Sequence, residues 1–169
     1  MMITNFGFGN SITAIVPTIN YRYYGYFYDT TTQTAVENSP TAMKLNTIFL
    51  SNGVSVVSGT KITVANTWVY NVQFSAQFYR SSGGTKETID IWLRKNGVDV
   101  PQSNTKITLE NNGIFVVAAR NWLIQLNAGE DCEIMWSVTS NTIRIASEPE
   151  NLIVPHPATP SVIATCVQV

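Results

Sequence analysis

Across residues 67–80 the chain alternates without a break: Trp68, Tyr70, Val72, Phe74, Ala76 and Phe78 take every second place, and Asn71, Gln73, Ser75 and Gln77 lie between them. A period of two sends successive side chains to opposite faces of an extended backbone, so the pattern predicts a long strand with one apolar face and one amide-rich face. At ~3.3 Å per residue the strand would run roughly 40 Å. Its polar face has no charge before Arg80, which suits a surface covered by another subunit as well as one covered by water.

The same period recurs in shorter runs. Tyr23, Tyr24, Gly25, Tyr26, Phe27 and Tyr28 make an aromatic strand, with a glycine where a neighbouring group can approach closely. Residues 29–41 supply turn residues. Residues 45–50, 54–57 and 61–64 read as short strands separated by Ser51-Asn52-Gly53 and Ser58-Gly59-Thr60. Beyond a loop at 81–85, Ile89, Ile91 and Leu93 alternate against Asp90, Trp92 and Arg94. Lys95-Asn96-Gly97-Val98 then closes a hairpin, because Asn-Gly accepts the positive φ of a primed turn. Strand-like runs follow at 105–109, 113–126, 132–138, 142–145 and 160–169. About ten strands at roughly 8–14-residue intervals, with little or no helix, predict an all-β antiparallel sandwich or barrel.

The two ends differ from this middle. Residues 1–22 mix Gly, Asn, Thr and Ile with Pro17 and carry one charge, Arg22. Free tails tend to be charged and poor in large side chains, so this segment reads as an arm that docks on something, ahead of a folded domain at 23–169. In the last strand Val162, Ala164 and Cys166 share one face and Ile163, Thr165 and Val167 the other. Both faces are largely apolar, the pattern of a strand buried on both sides.

Composition changes the picture at one point. Charged residues are 12% of the chain, against a usual share near 25%, and 20 Thr, 13 Ser and 16 Asn make up the polar complement. Either part of the surface is hidden in an assembly, or a monomer is wrapped in Thr, Ser and Asn. The 169 residues fit one domain. Hydrophobic residues at 44% and aromatics at 11% exclude a disordered chain. A net charge of −1 gives no basic footprint for nucleic acid. No run approaches the ~20 apolar residues that cross a bilayer, so no membrane partner is expected. The first residues lack the basic start and apolar run of a secretory signal, so synthesis and assembly in a cytoplasm are expected.

Candidate chemistry is sparse. Cys132 and Cys166 show no close spacing of a metal or redox pair; buried free thiols are the expectation, and a disulfide requires their strands to be neighbours. His156 sits between Pro155 and Pro157 with no acid or nucleophile beside it in sequence. Glu130, Asp131 and Glu133 form a loose acidic cluster that lacks the further oxygen ligands of a calcium loop. Glu87, Asp90 and Asp99 scatter about a hairpin and certify no carboxylate pair. Gly7-Phe8-Gly9 and Gly83-Gly84 carry no phosphate-binding lysine. Neither an enzymatic activity nor a cofactor is expected. Exposed aromatics such as Tyr23 and Trp92 could stack on sugar rings or lie in the core or a subunit interface, and the latter is preferred.

The order of these blocks carries a resemblance. Val-Tyr-Asn-Val-Gln-Phe-Ser-Ala-Gln-Phe at 69–78, Ile-Asp-Ile-Trp-Leu-Arg-Lys-Asn-Gly-Val-Asp-Val-Pro at 89–101, and Ser-Asn-Thr-Lys-Ile-Thr-Leu at 103–109 are followed by Trp-Leu-Ile-Gln-Leu-Asn-Ala-Gly at 122–129. Glu-Ile-Met-Trp-Ser at 133–137 and Pro-Ser-Val-Ile-Ala-Thr at 160–165 complete the set. Together they resemble structural proteins of bacteriophages and other aquatic viruses, and the wider C1q and tumour-necrosis-factor (TNF)-like jelly rolls. The resemblance spans residues 23–169 and implies a jelly roll of about ten strands, packed as a homotrimer about a three-fold axis. Residues 1–22 have neither a Gly-X-Y period nor heptads, so a long fibre is not implied.

On this reading the protein is a virion structural protein, a trimeric capsid decoration or minor capsid protein assembled in the host cytoplasm. Its partners are sister subunits and the major capsid or other virion proteins. Tyr24, Tyr26, Tyr28, Trp92, Val162, Ala164 and Cys166 are assigned to the trimer interface, and Ile3, Phe6, Phe8, Ile12 and Ile15 to capsid anchoring. The alternative is a fibre or spike module that binds a host-surface glycan or receptor through loops 81–86 or 154–159. Those loops hold neither Trp nor Tyr. A secreted cytokine-like ligand is disfavoured by the absent signal.

Overall fold

A computed structural model describes residues 22–83 and 86–169, and every regular element in them is a β-strand. The strands are β1 (Tyr24–Asp29), β2 (Gln33–Thr34), β3 (Thr41–Ala42), β4 (Thr47–Asn52), β5 (Val54–Val57), β6 (Lys61–Val64) and β7 (Trp68–Arg80). There follow β8 (Glu87–Lys95), β9 (Val98–Asp99), β10 (Thr105–Leu109), β11 (Phe115–Leu126), β12 (Asp131–Val138), β13 (Ile143–Ile145) and β14 (Val162–Gln168). The long strand stands where its alternation placed it. The strands outnumber the expected ten because β2, β3 and β9 are two-residue pieces. Strands that short have no period to read, and neighbours fix them: β2 pairs with β13, β3 with β12 and β9 with β8.

All pairings are antiparallel. The first sheet runs β2-β13-β7-β14-β1-β4, with β11 along the other edge of β7; the second runs β10-β8-β12-β6-β5, with β3 and β9 attached. Sequence-distant strands are therefore neighbours: β14 lies between β1 and β7, and β12 between β8 and β6. This is a jelly-roll sandwich.

The inner faces meet in one core. Tyr70, Val72, Phe74, Ala76 and Phe78 point into it from β7, and Ile89, Ile91 and Leu93 from β8, each buried. Phe78 reaches across to Trp136 at 5.8 Å between ring centroids, and Phe74 stacks on Trp122 at 5.4 Å. Close packing explains the glycine in the aromatic strand: the Phe27 ring lies over Gly25, where an added Cβ would come within 2.2 Å of Phe27 Cζ. At the 95–98 hairpin, Asn96 and Gly97 both take positive φ, 47° and 80°, as a primed turn requires. Ser58 and Gly59 repeat the device at 54° and 74°.

Candidate functional site

The register of the first sheet decides which residues face outward. Val162, Ala164 and Cys166 pair with Ala76, Phe74 and Val72, the inward set of β7, and antiparallel partners share a face. The expectation that these three line a subunit interface is therefore corrected: all three are fully buried in the chain's own core. Ile163, Thr165 and Val167 take the outward face instead, each half-buried. Periodicity alone left the two sets equivalent, because both are apolar and only the pairing with β7 separates them.

From β1 through β14 and β7 to β11, the outward face reads in rows. Tyr28, Ile163, Ser75 and Ala119 form one; Tyr26, Thr165, Gln73 and Asn121 the next; Tyr24, Val167, Asn71 and Leu123 the third. No position in these rows bears a charge. The aromatic strand thus contributes Tyr24, Tyr26 and Tyr28 to this face as a set. The edges continue its character: Ile48, Phe49 and Leu50 are exposed on β4, and Phe115, Val117 and Leu123 on β11. A register shift between Tyr26 and Phe27 leaves Phe49 unpaired in the ladder, and its ring meets Tyr26 edge-on at 5.2 Å.

The second sheet is built the other way. Lys61 pairs with Asp131 at 3.1 Å, Arg94 with Asp99 at 2.8 Å, Lys95 with Glu130 at 2.6 Å and Lys106 with Asp90 at 3.7 Å. Trp92 belongs to this sheet, so it does not join the tyrosines as expected. It is half-buried on β8 and donates Nε1–H to Asp99 Oδ1 at 2.8 Å. Hydrogen bonds from Arg94 and then Trp92 hold the Asp99 carboxyl below its ordinary value. A face laced with ion pairs is one that water covers at little cost.

The remaining candidates are dispersed. Glu130 is held at about 2 by the Asn127 N–H, Lys95 and Asn96, whereas Asp131 serves Lys61 and Glu133 accepts from the Thr60 hydroxyl at 2.7 Å. Each acid of the cluster has its own partner. Cys132 and Cys166 are free and buried; burial pushes the Cys166 thiol up to about 12 and the Cys132 thiol well above its ordinary value. Among the described residues no three His, Cys, Asp or Glu side chains gather as a metal site. Ile3, Phe6, Phe8, Ile12 and Ile15 lie outside the described residues.

The feature that sequence reading missed is a hairpin between β13 and β14. Glu148 bridges to Thr159 and Asn151 to His156, folding the connection back on itself. Asn151 Oδ1 accepts from the N–H groups of Ile153 and Val154 at 2.9 and 3.1 Å. The tip so held presents Leu152, Ile153 and Val154 at 83%, 94% and 68% exposure. His156 is part of this device, its Nδ1 2.8 Å from Pro157 O. Beside the hairpin, over β1 and β4, lies a groove of about 710 Å³ lined chiefly by Tyr26, Tyr28, Phe49, Ile163, Pro149 and Pro160. Leu-Ile-Val between Asn151 and Pro155 was the available signal, since an aliphatic run in a Pro-rich loop has no strand to bury it.

No protein-family model and no curated protein matches the sequence. Among solved structures, the fold is similar to murine APRIL at pH 8.5 and at pH 8.0, each with a TM-score of 0.56 and 9% identity over 88% of this chain and all of that one. The form at pH 5.0 superposes with a TM-score of 0.52 at 8% identity, with the same coverage. These likenesses establish a TNF-like jelly roll and nothing finer.

Proposed function

We propose that this chain is a virion structural protein, a homotrimeric jelly roll that decorates or reinforces a capsid and is held there by residues 1–22. The observation that carries the reading is the asymmetry of the sandwich: on one outer sheet face the outward positions of β1, β14, β7 and β11 bear no charge, Arg144 of β13 lying over the Tyr79 ring at one end, and the edges expose aliphatic and aromatic residues, while the other face is covered by ion pairs. An exposed apolar patch of more than a few hundred Å² on a soluble protein marks a surface that another molecule covers. Three copies around an axis cover it without leaving an open sheet edge, since a closed ring of heterologous contacts ends on itself. The ion-paired sheets then form the outside of the assembly. The viral setting is supported by the order of strand motifs from residue 69 to residue 165, and the arm by its uncharged, apolar composition.

The mechanism is mechanical. Hydrophobic burial between copies joins three sandwiches into one body, and three arms, one from each copy, engage the particle. Linked binding of this kind raises avidity far above that of one arm. In solution the protein should scatter light as a particle of three times 18.7 kDa. Removing residues 1–22 should leave the protein trimeric, at three times the mass of the shortened chain, and abolish incorporation into particles. A monomeric mass at micromolar concentration rejects the trimer, and normal particle occupancy by the truncated chain rejects the anchoring arm.

A further inference from the structure

The hairpin tip and the groove belong to the same chain, and the structure assigns them to each other across the subunit boundary: Leu152, Ile153 and Val154 of one copy seat in the groove over β1 and β4 of the next. The inference rests on the trimeric reading above and names a contact within it. Three adjacent aliphatic side chains stand almost fully in solvent on a tip fixed by two backbone bridges and the Asn151 side chain. Water is a poor medium for such a tip, and a fixed conformation loses little entropy on docking. The groove offers the matching chemistry, with rings from Tyr26, Tyr28 and Phe49, Ile163, and the prolines Pro149 and Pro160. It merges with the uncharged outward face, because Tyr26, Tyr28 and Ile163 belong to both.

The occupant is a second copy because of where the two parts lie. Asn151 and His156 line a smaller cavity together with Gln77 and Phe115, which places the base of the tip on the β11 flank of the face. The groove opens on the opposite flank, over β1 and β4. Both sit at the same end of the strands, since Glu148 and Thr159 at the foot of the hairpin line both cavities. Knob and groove at one height on opposite flanks are what a closing rotation needs, as rotation about an axis adds no rise from copy to copy. Every groove in a closed ring is then filled.

Cross-linking tests this. Ile153 and Phe49 are both exposed, so Ile153→Cys and Phe49→Cys leave the core untouched, and the native thiols are buried and inert to mild oxidants. The full-length chain carrying both substitutions, oxidised at micromolar concentration, is expected to run as covalent dimer and trimer and nothing larger. Each single variant is expected to stay uncross-linked. A trimeric mass by light scattering without cross-links overturns the knob-and-groove contact and leaves the trimer standing; a monomeric mass overturns both. An open ladder beyond three rejects the ring, and cross-links in the chain carrying Ile153→Cys alone place the knobs against one another and reject the groove. If the thiol from Phe49→Cys resists maleimide until residues 1–22 are deleted, the arm occupies the groove and the inference fails.

Discussion

Thr165→Arg places a fixed positive charge at the centre of the uncharged face, between Tyr26 on one side and Gln73 on the other. In the single chain the cost is small, because residue 165 points away from the core and a long side chain reaches water from there. In the proposed trimer no acid on this face meets it: the rows nearest it hold Tyr, Ile, Ser, Thr, Val, Gln, Asn, Ala and Leu. An unpaired buried charge costs about 3–5 kcal/mol. At 1.4 kcal/mol per tenfold change, each contact that meets it weakens by roughly 10²–10⁴. Sedimentation or light scattering over a dilution series should therefore show 18.7 kDa under conditions where the native chain, if trimeric as proposed, gives three times that mass. The thermal midpoint of the separated chain should stay that of a folded domain. Thr165→Val should keep the trimer. Thr108→Arg, exposed beside the ion pairs of the second sheet, should also keep it. If Thr165→Arg remains trimeric across the dilution range, the uncharged face is not the subunit contact and the reasoning from missing charge is wrong.

Three further outcomes follow from the packing. Gly25→Ala drives a methyl into the Phe27 ring, and overpacking of this kind costs about 1–3 kcal/mol; for this size of domain calorimetry should record a Tm lower by roughly 2–12 °C. Ser103→Ala removes the hydroxyl that accepts the Leu93 N–H at 3.0 Å and donates to Val100 O at 2.7 Å inside the β8–β10 connection. Leaving that buried donor unpaired costs about 1–3 kcal/mol, readable as a lower urea midpoint with unchanged m-value. The raised thiols give a pH signature: folded Cys132 and Cys166 keep their protons above pH 9 while the unfolded chain loses them, so stability is full below that pH and falls as pH rises toward 12. The slope approaches about 1.4 kcal/mol per pH unit for each thiol. Urea titrations between pH 8 and 11 check it, and a flat profile with rapid native labelling by a thiol reagent rejects the buried assignment.

Much of the architecture is legible in the sequence. The strands at 54–57, 61–64 and 105–109 lie at their predicted bounds, β7 begins one residue inside its own, and β8 spans the predicted alternation from Ile89 to Arg94. Period two is a property of the single strand, and Asn96-Gly97 states its own turn. The face of β14 was different. Val162, Ala164 and Cys166 looked equivalent to Ile163, Thr165 and Val167 until pairing with β7 sent the first set inward. Trp92 looked like a companion of the tyrosines, yet the crossing of the chain between β7 and β8 puts it on the other sheet, beside Asp99.

The sequence by itself therefore determined local things: which segments extend, where they turn, that the core is shared by alternating apolar positions, and that charge is scarce. Tertiary structure decided where that scarcity lies. It gathered the uncharged sides of β1, β14, β7 and β11, drawn from both ends and the middle of the chain, onto one face and left the ion pairs to the other. It also set an aliphatic hairpin beside an aromatic groove. The physical reason is that burial within a strand depends on the residue's own neighbours, whereas a face is made by hydrogen-bonded register between strands distant in sequence.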